Sequence, residues 1–183
     1  LWNPHLYRST LDSMHVYSAV LYSPVAKRII LSAKENGIKA ADDLIIHAIT
    51  HSLHLLLRDF EMGILVPAPS RKSSNRKRGR DFLSEITHSI ARRESLECMD
   101  LLFHSRKVRD QSGLNAHDRR ENIYQALAID RNKLSGLGVD NDVILVDDLL
   151  TTGATLLEAR RALKVRGVRV IAAITACLSP PLR

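Results

Sequence analysis

The sequence predicts an α/β fold in which a mainly parallel central sheet carries helices on both faces. Three observations lead there. Residues 143–146, Val-Ile-Leu-Val, form an unbroken apolar run too short for a buried helix, with Asp140-Asn141-Asp142 before it and a Thr/Gly segment after it. That is the pattern of a strand covered on both faces. Ile64-Leu65-Val66, stopped by Pro67-Ala68-Pro69, is a second such run. Around them apolar residues recur at helical spacing, and strands alternating with helices build parallel βαβ units with right-handed crossovers.

Taken in order, residues 1–14 read as an irregular lead-in and 15–21 as a short β-prone stretch. Tyr22-Ser23-Pro24 is a turn signal, after which Val25, Ile29 and Ala33 follow helical spacing up to Gly37. Lys27, Arg28 and Lys34 decorate that helix and are assigned to a solvated face. Ile45, Ala48, Ile49, Leu53, Leu56 and Leu57 mark a longer core-facing helix within 40–59. His47, His51 and His54 share its spacing, but no acidic or cysteine ligand joins them, so no metal site is expected there.

The stretch 70–79 is expected as a basic loop, and Phe82, Ile86 and Ile90 place a third helix from about Arg80. Leu101-Leu102-Phe103 marks another strand, and 106–122 is a long polar segment without a clear period, expected as a mobile loop. Residues 126–130 read as a strand and 134–142 as a turn. Leu156, Ala159 and Leu163 give a helix that ends at Gly167, and 168–178 is a final apolar strand closed by Pro180-Pro181. At 183 residues the chain is expected to form one domain, 1–183, without internal repeats.

Hydrophobic residues make up 45% of the sequence, yet no apolar run approaches the roughly 20 residues of a membrane span. Residues 1–11 lack a basic segment followed by an apolar core, so no signal peptide is expected. Two cysteines, Cys98 and Cys177, make neither a disulfide framework nor a cysteine zinc site, and a reducing cytoplasm is the simplest location. The formal charge of +7 favours an anionic partner, and a polyphosphate or a nucleic acid would both qualify. The excess concentrates in 71–80, where no aromatic residue interleaves the charges to stack on bases.

The chemistry centres on 143–155. Asp147 and Asp148 fall where the apolar strand is expected to end, at the crevice beyond the carboxyl ends of the strands where open α/β sheets bind ligands. Thr151, Thr152, Gly153, Ala154 and Thr155 then offer hydroxyls, a permissive glycine and backbone N–H groups just before a helix, which is an anion cradle. A phosphate for the cradle and a vicinal diol for the carboxylates describe a ribose 5-phosphate. Reading Thr155 and Glu158 as a capping box is compatible with this, but explains neither the paired acids nor Thr151-Thr152-Gly153.

The 13 residues 143–155 resemble, without a gap, the phosphoribosyl pyrophosphate (PRPP) signature of type I phosphoribosyltransferases: an apolar strand, two acids, then Thr-Thr-Gly-x-Thr. Tyr22-Ser23-Pro24, Lys34, Val66-Pro67-Ala68-Pro69, Arg78-Gly79, the run from Gln111 to Leu114, and Arg119-Arg120 with Asn122 extend the likeness to the ComF/GntX family, associated in many bacteria with DNA uptake. Two departures stand out. The N-terminal cysteine zinc finger common in that family is absent from this sequence. Arg78-Gly79-Arg80-Asp81-Phe82 also stands where the family continues Arg-Gly-Phe-Asn-Gln.

The resemblance implies a three-layer type I phosphoribosyltransferase-like fold, PRPP and Mg²⁺ as ligands, a nucleobase-like acceptor and release of pyrophosphate. Carried over by residue, it implies that Asp147 and Asp148 hold the ribose hydroxyls, directly or through Mg²⁺ and its water. Thr151 to Thr155 take the 5-phosphate; Ser70, Arg71 and Lys72 take the pyrophosphate; Arg109 and Gln111 contact the ligand from the mobile loop. The alternative is a non-catalytic PRPP- or nucleotide-sensing module that partners DNA-uptake proteins, because the residues after Ala173-Ile174-Thr175 are small and neutral and none recognises a base. Direct nucleic-acid binding through 71–80 has the least support.

Overall fold

The computed structural model of the chain describes residues 2–108, 115–136 and 142–180. A five-stranded sheet runs in the order β1-β2-β7-β6-β3, with β1 (Tyr7–Leu11), β2 (Met14–Leu21), β3 (Ile64–Pro67), β6 (Val143–Leu150) and β7 (Val170–Leu178). Strands β2, β7, β6 and β3 are parallel, and β1 joins the edge antiparallel to β2. β4 (Leu102–His104) and β5 (Leu127–Ile129) pair antiparallel in a separate ribbon.

The strand β1 corrects the expectation of an irregular lead-in over 1–14. Its hairpin turns through Asp12 and Ser13, both at positive φ (44° and 62°), the paired left-handed geometry that matches strand twist in a two-residue loop. Neither turn residue is glycine, which is why the sequence hides the hairpin.

Two cores lie on the two faces of the sheet. One is built by α1 (Pro24–Lys34), α2 (Lys39–Leu56) and α4 (Phe82–Glu94) against Ile144, Val146, Leu65 and Ile174; the other by α7 (Ala154–Lys164) and the β4–β5 ribbon against Val143, Leu145, Val66 and Ala173. Alternate residues of one strand thus feed opposite cores, as a doubly covered parallel strand requires. On α2, Ala41, Ile45, Ala48, Ile49, Ser52, Leu53 and Leu56 form the buried stripe. Each large aliphatic there contributes about 1.5–3 kcal/mol by burial.

α1 starts directly after β2 and ends over the carboxyl end of β6. Ser23 caps it by accepting the Ala26 N–H at 3.1 Å, and Pro24 occupies the first helical turn, where its missing N–H costs nothing.

Two expected loops are partly helical. Within 70–79, residues Lys72–Arg78 form α3, which ends at Gly79 in the left-handed region (φ 70°). Lysine and arginine are good helix formers, and the glycine read as a loop residue is the helix stop. Within 106–122, the short helix α5 (Ala116–Ile123) is capped by Asn115, whose side chain accepts the Asp118 N–H at 2.9 Å. It is polar nearly all round, so it leaves no periodic signal. α6 (Arg131–Leu134) is a single turn capped by Asp130.

Candidate active site

Strand β6 does not end at Val146, as the apolar run suggests, but continues to Leu150. β7 keeps pairing with it: Asp147 lies opposite Thr175, Leu149 opposite Cys177 and Leu150 opposite Leu178. The two acids therefore sit inside a paired strand rather than beyond it. The alternation of faces breaks at them, since Ile144, Val146 and Leu149 pack in the α2-side core while Val143, Leu145 and Leu150 pack in the other. At that point the Asp148 N–H donates to Asp147 Oδ1 at 2.9 Å, so a side chain satisfies this backbone group.

Asp148 is buried, and Lys34 Nζ lies 2.9 Å from its Oδ2; the two side chains are 9% and 27% exposed. Lys34 is thus not part of a solvated face. It lies one turn beyond buried Ile30 and directly after buried Ala33, at the edge of the α1 core stripe. That position is the sequence signal for it.

Electrostatics separate the two carboxyls. Burial alone would raise the Asp148 pKa, but the charge and hydrogen bond of Lys34 outweigh it and hold the group below its ordinary value. Burial and the neighbouring Asp148 charge push Asp147 up, and Lys34 offsets this only in part. For Lys34, burial works to lower the pKa, and Asp148 with Asp147 overcomes it, so the ammonium is held above its ordinary range. The site contains one firmly ionised acid, one acid that tends to hold a proton, and one fixed cation.

The cradle follows at once. Gly153 (φ 72°) opens α7 as its N-cap with no side-chain cap bond among the described residues, and Thr152 Oγ1 accepts the Ala154 N–H only at a long 3.4 Å. The first-turn N–H groups of this eleven-residue helix come a few residues after the end of β6, and there the helix dipole favours an anion. A Cβ at 153 would also crowd the Leu11 methyls of the β1 hairpin, a side-chain end that can shift to relieve it. The capping box expected of Thr155 and Glu158 does not form. Glu158 is buried and instead accepts the Leu127 N–H at 3.1 Å and pairs with Arg161 Nε at 2.7 Å.

Of the other expected site residues, 70–72 leave β3 beside the acids. Pro67 pairs with Val146, and the Ala68 N–H donates to the Val146 carbonyl at 2.8 Å. Lys72 lines a cavity of about 620 Å³ with Asp81, Asp100 and Phe103, a space that none of the two acids and cradle threonines borders. His104 pairs with the Pro69 carbonyl at 3.0 Å, and burial, Arg71 and Arg106 hold its pKa below the usual value despite that contact. The 70–80 segment is tied back to α1 and α2 by Arg78 to Glu35 at 2.7 Å and Arg80 to Asp42 at 2.9 Å. Arg109 and Gln111 lie outside the described residues. The end of α5 and the residues after it nevertheless pack on the start of α7, with Ile123 and Ala126 against Ala154.

A divalent cation fits this donor set in one way. Mg²⁺ takes hard oxygen ligands and commonly uses one or two carboxylates together with phosphate oxygens and water. Asp147 and Asp148 would supply the carboxylates, while among the described residues no group of three or more His, Cys, Asp or Glu converges into a protein-only cage.

A family model described as the phosphoribosyl transferase domain matches residues 81–181, just over half of the chain. The chain belongs to this phosphoribosyl transferase family. Its three-layer fold, with a mostly parallel sheet between two helical layers, agrees with the type I expectation. Competence protein F of Haemophilus influenzae is 43% identical over 63 residues, 33% of this chain and 26% of that protein, so the match spans about a quarter of the relative's length. A solved adenine phosphoribosyltransferase from Leishmania donovani is similar over 94% of this chain and 86% of its own at 12% identity, with a TM-score of 0.47, a likeness too remote to bear on the site. The phosphoribosyl transferase match begins at Asp81, and so leaves α1, Lys34 and the 70–72 segment to be judged on geometry alone.

Proposed function

We propose that this chain binds PRPP and transfers its 5-phosphoribosyl group to a nucleobase-like acceptor, releasing pyrophosphate. The observation that carries the reading is the acid pair inside β6, followed after Leu150 by the short Thr151–Gly153 turn into α7, whose N-cap Gly153 makes no side-chain cap bond among the described residues. In the reaction an acceptor nitrogen bonds to C1 of the ribose while the C1–O bond to pyrophosphate breaks, and the bonding pair leaves with the pyrophosphate. Positive charge grows on the sugar ring. Asp148, held ionised, accepts from a ribose hydroxyl and stabilises that charge, and Asp147 takes the neighbouring hydroxyl. Thr151, Thr152, Thr155 and the backbone N–H groups of 153–155 anchor the 5-phosphate and so fix C1 in place. Ser70, Arg71 and Lys72 receive the pyrophosphate, with Arg109 and Gln111, as the family resemblance implies, as further contacts. When bound, Mg²⁺ supplies charge neutralisation of the departing pyrophosphate and orients the diol.

A second reading keeps the pocket and drops the transfer, making the chain a PRPP-sensing module that meets DNA-uptake proteins. What favours it is the end of β7, where Ala176, Cys177 and Leu178 present no group that would recognise or deprotonate a base. No helix of the described residues is long and apolar enough to cross a membrane, and we place the protein's work in the cytoplasm, where PRPP is made.

The test is ³¹P NMR of PRPP, Mg²⁺ and a nucleobase pool with the protein, against Asp147→Asn/Asp148→Asn. Pyrophosphate formed only by the wild type in the presence of a base supports transfer. Mg²⁺-dependent broadening of the PRPP resonances without pyrophosphate selects the sensing module. Unchanged spectra reject both.

A further inference from the structure

Two ion pairs stand on consecutive residues at the end of α1. Lys34 Nζ meets Asp148 Oδ2 at 2.9 Å, and Glu35 Oε1 meets Arg78 Nε at 3.0 Å and Nη2 at 2.7 Å. The Arg78 side chain is only 11% exposed, and Asp148 and Lys34 are 9% and 27% exposed. One pair reaches β6, whose acids face the cradle. The other reaches α3, which continues from the 70–72 segment.

We propose that the last turn of α1 is a positioning element that holds the sugar half and the pyrophosphate half of the site in register, Lys34 acting through Asp148 and Glu35 acting through Arg78. The inference rests on the PRPP reading above. Adjacent Cα atoms are fixed at about 3.8 Å, so a shift of α1 that moves one pair moves the other. Lys34 occupies one oxygen of Asp148 and thereby sets how the other is presented. It also balances the Asp148 carboxylate at a place that must accept a polyanion, where an unpaired carboxylate would repel the ligand. The site is otherwise assembled from two different strand ends, and these pairs join the acids of β6 to the helix after β3 through a single helical turn.

The test is calorimetric titration of the full chain with ribose 5-phosphate and, separately, inorganic pyrophosphate, both with Mg²⁺. Lys34→Met is expected to weaken ribose 5-phosphate by about tenfold or more, and Lys34→Arg to recover most of the loss, because a cation is restored at the carboxylate. Glu35→Gln is expected to weaken pyrophosphate by about threefold or more and ribose 5-phosphate less, a ligand-selective pattern that general loosening of the fold would not produce. Ribose 5-phosphate bound by Lys34→Met within about twofold of wild type would overturn the assignment. Should Lys34→Met fail to fold by circular dichroism, the outcome passes to Glu35→Gln, whose pair lies nearer the surface; pyrophosphate affinity equal to wild type there overturns it. A wild-type protein that binds neither ligand overturns the PRPP reading and this inference with it, whereas wild-type binding with indifferent variants overturns the inference alone.

Discussion

Arg161→Met should cost the protein about 2 kcal/mol of stability, and the reasoning can be refuted at one step. Glu158 is buried, its side chain 4% exposed, and its carboxylate accepts Arg161 Nε at 2.7 Å, Arg161 Nη2 at 2.8 Å and the Leu127 N–H at 3.1 Å. Arg161 Nη2 also donates to the Leu127 carbonyl at 3.2 Å, so the pair bolts β5 to α7. Breaking a buried ion pair by deleting one partner costs about 3–5 kcal/mol, because the remaining charge is stranded. The Arg161 side chain is 36% exposed, so water can reach the vacated space, which discounts the figure to about 2 kcal/mol. For a chain of this size that lowers the melting temperature by about 4–8 °C in calorimetry. Adding Glu158→Gln removes the stranded charge while an amide oxygen still accepts the Leu127 N–H. The double variant should therefore be more stable than Arg161→Met alone. If the two losses simply add, the stranded-charge account is wrong, since independent sites add within about 0.5 kcal/mol and a coupled pair does not.

Other consequences can be measured directly. Gly153→Ala should destabilise by about 1–2 kcal/mol in urea titrations, the usual cost of a left-handed alanine, and Leu11→Ala in the same chain should relieve only the steric share, because the Leu11 methyl can move and the backbone cannot. Tyr17, raised to about 12 by burial and by its hydrogen bond to Asp59, should be among the last tyrosines to ionise in a spectrophotometric titration. Its folded pKa lies above the unfolded value, so the stability it confers is complete below about pH 10 and is lost as pH rises through 12, a loss that Tyr17→Phe should abolish. For Asp100, burial would raise the pKa, but hydrogen bonds from His88 and Ser84 hold it low. Its contribution is thus present above the ordinary carboxylate range and lost as pH falls through the lowered value, and Asp100→Asn should flatten the acid limb of a stability profile.

How much of this was legible in the sequence depended on the kind of physics each element uses. Strands buried on both faces announce themselves as apolar runs, so β3 and the first half of β6 were readable. The second half of β6 was not, because Asp147 and Asp148 look like a strand end; only the long partner β7 keeps them paired. Helices with a one-sided core, such as α2 and α4, were visible from spacing, whereas α3 and α5 bury too little for a period and are set by Gly79 and by the Asn115 cap. At the site, the acids and the cradle are contiguous in sequence and could be read together. Lys34 lies 114 residues away from Asp148, and only the path of α1 across the sheet brings them together.

The two halves of the site also differ in rigidity, and this bears on how it would close. Asp147 and Asp148 sit in a central strand that stays paired with β7 and has core residues packed before and after them. Moving them means breaking a ladder. α3, by contrast, has no buried residue and is held by Arg78 to Glu35 and, within 70–81, by Asn75 to Asp81 at 2.7 Å. Polar tethers of this kind are worth little each and weaken with salt when exposed, so they mark a segment of low local stability. Closure around a bound polyanion should therefore be carried by 70–77 tightening about the retained Glu35–Arg78 pair, beside a fixed sugar site. Hydrogen exchange with and without pyrophosphate and Mg²⁺ should find new protection in 70–77 and unchanged, already slow amides in 143–148; the reverse pattern would mean that the acids, and not the basic helix, do the moving.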